Sequence, residues 1–172
     1  MVAAAFLAGY MCKAAGEYTP PQLYEALAAS ETGGEKNPFI RTKVRPAAGS
    51  TAYGPVQITG PTAADFTNRL KGSLSPDVLR YAQQMSNQSK LFLQHGNNKS
   101  KPGYDSTYDY GGTGHLGQTP TQQALYRKFA EAMIQRMYQN SGGDIGKFIQ
   151  RWRGEADPKY TQAVRAYLGA VK

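Results

Sequence analysis

The sequence predicts a mainly helical chain with one small β-hairpin or irregular region near residues 38–60. Three observations lead there. Apolar residues recur at three- and four-residue spacing in several segments that open on Thr or Ser followed by Pro and close on Gly. No stretch sustains the alternation of a long strand. With 172 residues, 40% of them hydrophobic, the chain can build a real core, and a single domain over 1–172 is expected. One cysteine, Cys12, excludes an intrachain disulfide, so the core must rest on packing.

The elements follow in order. Residues 2–15 are Ala-rich and read as a first core helix. No Lys or Arg precedes Lys13, so the segment lacks the basic start of an export signal, and it is too short to span a bilayer. "TPPQLYEALAAS" is a second helix: Thr19 caps, Pro20 and Pro21 fill the first turn, and Leu23, Tyr24 and Leu27 share a face. It runs into Glu31 and stops at Gly33-Gly34. "PTAADFTNRL" forms a short helix opened by Pro61 and Thr62. From Ser75 a longer one carries Val78, Ala82, Met85, Ser89 and Phe92 at helical spacing and ends near Gly96. Residues 96–118 are a polar loop rich in glycine and tyrosine, and a loop of that length in a compact domain usually has a function. A helix then starts on a capping box, Thr119 with Gln122, and shows a Leu125, Phe129, Met133, Met137 stripe. Two last helices cover 144–152 and 157–170, joined across Gly154 and Pro158.

Lys plus Arg is 20 and Asp plus Glu is 12, a formal charge of +8 with a pI near 9.6. A basic surface favours anionic partners: nucleic acid, anionic lipid or a cell-wall polymer. The basic residues are dispersed, without the run that marks a nucleic-acid tail. Cys12, His95 and His115 do not fall at metal-ligand spacing, and no metal or organic cofactor is expected.

The chemistry concentrates at "AASETGG", residues 28–34. Glu31 sits on the last turn of an apolar helix. The helix carbonyls, the apolar run and the scarcity of basic neighbours, Lys36 being the nearest, all disfavour the ionised carboxylate. A carboxyl held as the acid is what protonation of a leaving oxygen requires.

Glu31-Thr32, then Gly54-Pro55-Val56-Gln57 within "GSTAYGPVQI", then Thr107-Tyr108-Asp109-Tyr110-Gly111-Gly112-Thr113-Gly114 follow one another in the order of three family motifs. The ordered set resembles the lytic transglycosylase and goose-type lysozyme branch of the lysozyme-like superfamily, over roughly residues 20–140. That branch has a Glu-Ser pair closing a helix, a Gly-Leu-Met-Gln turn and an Ala-Tyr-Asn-Ala-Gly-Pro-Gly segment. Here Thr32 replaces the Ser, and Pro55-Val56 replaces Leu-Met. Aligning the glycines puts the family's tyrosine at Asp109, beside Tyr108 and Tyr110, with Tyr110 preferred. The basic, compact chain with this glycine and tyrosine pattern looks more like phage-borne wall-degrading domains than cellular ones.

The resemblance implies a helical bundle around a substrate cleft and cleavage of the β-1,4 bond between N-acetylmuramic acid and N-acetylglucosamine. Glu31 protonates the bridging oxygen. In a transglycosylase the resulting carboxylate then deprotonates the sugar's C6 hydroxyl, which closes a 1,6-anhydro ring without water. Ser50, Tyr53, Gln57, Tyr108, Tyr110 and Gly112 are the implied substrate-binding positions; Ser50, Tyr53, Gln57 and the tyrosines also read as turn, loop-anchoring or core residues. A hydrolytic lysozyme is the alternative and needs a second carboxylate, about 5–5.5 Å away in retaining and about 6.5–9.5 Å in inverting enzymes. Asp109, Asp105 and Glu35 are its candidates. The implied partners are peptidoglycan strands and other virion proteins, with no stable membrane span; the implied location is the virion or the host periplasm and wall. Readings of another class are a basic, tyrosine-rich nucleic-acid-binding module and a structural virion protein that keeps only the fold.

Overall fold

The computed structural model describes residues 17–33, 39, 52–91 (side chains as far as Asn87), 117 and 119–170. Six α-helices follow one another among them: α1 Pro20–Thr32, α2 Gly60–Arg69, α3 Pro76–Leu91, α4 Pro120–Asn140, α5 Ile145–Arg153 and α6 Pro158–Ala170. Extended pairing among the described residues is limited to an isolated antiparallel bridge between Tyr53 and Ile58. The chain is therefore mainly helical, as its sequence predicts. The predicted helix over 2–15 and, apart from Gly117, the tyrosine loop over 96–118 lie outside the described residues.

The helix starts are chemically explicit. α1 and α4 both open on Thr-Pro-x-Gln. At α1 the Thr19 hydroxyl accepts the Gln22 N–H at 3.4 Å, and the Gln22 carboxamide oxygen accepts the Thr19 N–H at 2.9 Å. At α4 the same reciprocal pair joins Thr119 and Gln122 at 3.2 and 3.1 Å. Each box satisfies two backbone donors that a helix start otherwise leaves unpaired. α2 begins one residue earlier than Pro61 suggests, because the Thr59 hydroxyl caps it by accepting the Thr62 N–H. α5 is capped by Asp144, whose carboxylate accepts the Lys147 N–H at 2.8 Å, and ends on the left-handed Gly154.

The chain divides into two compact units, Met1–Ser30 with Glu131–Lys172, and Glu31–Ala130. In the first, Leu23, Tyr24, Ala26 and Leu27 of α1, Met133, Ile134 and Tyr138 of α4, Phe148 and Ile149 of α5, and Val164 and Leu168 of α6 are buried. Tyr138 and Phe148 meet edge to face with centroids 5.7 Å apart. In the second, α2 packs on α3, and Ala63, Phe66, Val78, Tyr81, Ala82 and Met85 are buried. The Leu125–Met137 stripe of α4 is buried at Phe129 and Met133 and half-buried at its ends. Tyr126, Ala130, Ile134 and Tyr138 widen that buried face beyond the stripe.

Capping has a consequence for acid stability. The Lys147 N–H holds the exposed Asp144 carboxyl below its ordinary value, with smaller help from the Lys147 and Arg165 charges. A lowered folded value means that the stabilisation is present above the ordinary aspartate range, near pH 4, and is lost as the pH falls through the lowered value. Asp144→Asn keeps an oxygen acceptor but does not titrate. The amides at the start of α5 are expected to lose hydrogen-exchange protection below about pH 4 in the native chain and to keep a pH-independent protection in Asp144→Asn. Equal loss in both would exclude the carboxylate as its source.

Candidate functional site

Glu31 occupies the last turn of α1, one residue before the helix ends at Thr32, and its side chain is half-buried. Gly33 follows with φ +58°, a left-handed conformation that stops the helix at little cost for a residue without Cβ. Directly before it the Ser30 hydroxyl donates to the Ala26 carbonyl, one turn back, at 2.8 Å. The carboxyl thus sits at the carbonyl end of a helix.

The turn that carries the second motif follows α1 along the chain, in the compact unit that begins at Glu31. That turn is closed by reciprocal backbone hydrogen bonds between Tyr53 and Ile58, both 3.0 Å. Within it the Gly54 carbonyl accepts both the Gln57 N–H at 3.0 Å and the Gln57 side-chain amide at 2.8 Å. Gln57 has φ +52°, the only positive φ at a non-glycine residue among those described. Such a conformation persists only where its surroundings over-determine it, and strained positions of this kind cluster at functional sites. Gln57 is half-exposed, whereas Gly54, Pro55 and Val56 are buried.

An aromatic trio fixes the turn from beneath. Phe39, Tyr53 and Tyr126 are buried and meet edge to face, with centroids 5.1–6.2 Å apart. The Tyr126 hydroxyl donates to the Tyr53 carbonyl at 2.8 Å and accepts the Val56 N–H at 3.3 Å. Gly54 takes φ +74° directly against the Tyr126 ring, leaving no room for a Cβ. Phe39 in turn lies against Gly117, whose carbonyl accepts the Gln123 side-chain amide at 2.9 Å.

Of the two readings of Tyr53, a flat face for a sugar or a core ring, complete burial against Phe39 and Tyr126 fits the core ring. Gln57 anchors its own loop through the Gly54 carbonyl and keeps partial exposure. Ser50, Tyr108, Tyr110, Gly112, Asp109, Asp105 and Glu35 lie outside the described residues. Sequence reasoning passed over Tyr126 and Phe39. Tyr126 has only helical periodicity around it, and nothing local signals a partner 70 residues away.

Neither protein-family models, curated proteins nor solved structures yield a match to this chain. No cluster of three or more potential metal ligands occurs among the described residues, and no helix among them is long and apolar enough to cross a membrane.

The tie between α4 and the turn can be tested alone. Tyr126→Phe keeps the ring and deletes the hydroxyl. The Tyr53 carbonyl still accepts the Ile58 N–H, but the buried Val56 N–H loses its acceptor. The expected loss is about 1–3 kcal/mol in urea unfolding, the cost of an orphaned buried donor. A change within about 0.3 kcal/mol would mean that water or a neighbouring group takes over the bond.

Proposed function

We propose that the chain is a peptidoglycan lytic transglycosylase of lysozyme-like fold, with Glu31 as its single catalytic carboxyl. The reading is carried by one observation: a half-buried acid closes α1 just before a left-handed Gly33, and the Gly54–Gln57 turn that follows it along the chain is held in a strained conformation. That pairing corresponds to the first two motifs of the resemblance. The net charge of +8 suits an anionic wall polymer.

In the proposed reaction the Glu31 carboxyl gives its proton to the oxygen bridging N-acetylmuramic acid and N-acetylglucosamine as the C1–O bond breaks. The resulting carboxylate takes the proton of the C6 hydroxyl while O6 bonds to C1. The proton removed in the second half replaces the one given in the first, so Glu31 is regenerated and no water is consumed. One carboxyl serves as acid and then base. Gln57, half-exposed on a fixed turn, is the proposed polar contact to the sugar. Ser50, Tyr108, Tyr110 and Gly112 complete the proposed binding set.

Digestion of purified peptidoglycan followed by mass spectrometry of the released muropeptides tests this. Products ending in 1,6-anhydro-N-acetylmuramic acid are expected. Reducing ends would replace the transglycosylase by a hydrolytic lysozyme with Asp109, Asp105 or Glu35 as second carboxylate. Release of no muropeptide at all would reject both.

A further inference from the structure

α5, α6 and the segment between them enclose a groove of about 320 Å³, on the first compact unit rather than the one that holds Glu31. Its size lies at the lower end for small-ligand pockets. The walls are Gly146 and Gln150 of α5, Ala156 and Asp157 of the connection, and Pro158, Thr161, Gln162 and Arg165 of α6.

The polar groups here divide into committed and available ones. Asp157 is committed: one carboxylate oxygen accepts the Tyr160 N–H at 2.9 Å and caps α6, and the other pairs with Arg153 at 3.6 Å. The Thr161 hydroxyl donates to the Asp157 carbonyl at 2.8 Å. Asp144, whose carboxylate feels the Arg165 charge, caps α5. The Gln150 and Gln162 carboxamides and the Arg165 guanidinium are exposed and make no hydrogen bond or ion pair to another side chain among the described residues. Two amides and a planar fork of donors therefore border a groove whose remaining wall is the committed Asp157 and Thr161, Ala156, Pro158 and bare backbone at Gly146. Residues 144–165 hold five basic and three acidic side chains, a surplus of +2.

We infer that this groove binds the terminal carboxylate of a short peptide with small apolar side chains. A guanidinium fork meets a carboxylate with two parallel hydrogen bonds, which a lone ammonium cannot do. The carboxamides are complementary to the preceding peptide unit, and Ala156 with Pro158 offers apolar contact to a methyl-sized side chain. Assigning the peptide to the stems of peptidoglycan rests on the proposed function; the carboxylate site itself does not.

The test is a titration of the full chain with N-acetyl-alanyl-alanine, followed by amide NMR shifts, beside its C-terminal carboxamide. Saturable shifts at Gly146, Ala156 and Thr161 are expected, with binding about tenfold weaker for the carboxamide and for Arg165→Ala, and an intermediate loss for Arg165→Lys. Absence of saturable shifts, equal binding of the carboxamide, or shifts confined to other segments would overturn the site. If Arg165→Ala does not fold, the acid-against-carboxamide comparison on the native chain still decides. Glu31→Gln is expected to bind the peptide like the native chain, so loss of wall cleavage and loss of this site are read separately.

Discussion

Replacing Gly54 by alanine is expected to destabilise the chain by about 3 kcal/mol, from two additive causes. An L-residue at φ +74° carries a left-handed backbone penalty of about 1–2 kcal/mol. The added methyl also lands on the Tyr126 ring, which cannot step aside without breaking its bonds to the Tyr53 carbonyl and Val56 N–H. Overpacking of that kind costs about 1–3 kcal/mol. For a chain of this length the melting temperature should fall by about 6–12 °C. The two causes separate in Gly54→Ala combined with Tyr126→Leu, where the smaller side chain makes room for the methyl. The double variant should lose less than the sum of the single ones. Strict additivity would show that the ring does not confine position 54, and a Gly54→Ala loss under about 0.5 kcal/mol would remove the strained turn from the account altogether.

The second large effect is on activity. Glu31→Gln keeps the side-chain size but cannot serve as acid and base, and a fall of about 10²–10⁴ in muropeptide release is expected. Stability should change little: the amide matches the carboxyl in size, and a carboxyl that holds its proton for catalysis carries no charge to lose. An inactive protein of equal melting temperature is therefore the signature of a carboxyl placed for chemistry. A variant that stays fully active would end the catalytic assignment. A variant that loses both activity and stability would instead make Glu31 a structural acid.

What was legible in the sequence is local chemistry. Thr19 and Pro20, Ser75 and Pro76, Thr119 and Gln122, and Gly154 mark helix limits because caps and breakers act within one turn of the chain. The α2 start escaped by one residue because Thr59 and Thr62 are both hydroxyl residues near a proline, and only the backbone shows which one caps. The Gly54–Gln57 turn was visible as a Gly-Pro break. The positive φ of Gln57 was not, since a glutamine gives no hint of it and the cause is the closure of the turn around the Gly54 carbonyl. The link from Tyr126 to that turn is the least legible feature. It depends on a hydroxyl meeting backbone atoms 70 and 73 residues away, and helical periodicity reports only that the residue faces inward. Glu31 stood out because its position at a helix end is itself a local feature.

The choice of capping groups gives the molecule an unequal response to protons. α1, α2 and α4 start on threonine hydroxyls, which accept a hydrogen bond as well in strong acid as at neutrality. α6 starts on the Asp157 carboxylate and α5 on Asp144, whose carboxyl the Lys147 N–H holds below its ordinary value, so that this cap weakens when the group takes a proton. An acidic medium should therefore fray the beginning of α5 while leaving the starts of α1 and α4, the helices that carry Glu31 and Tyr126, as they are.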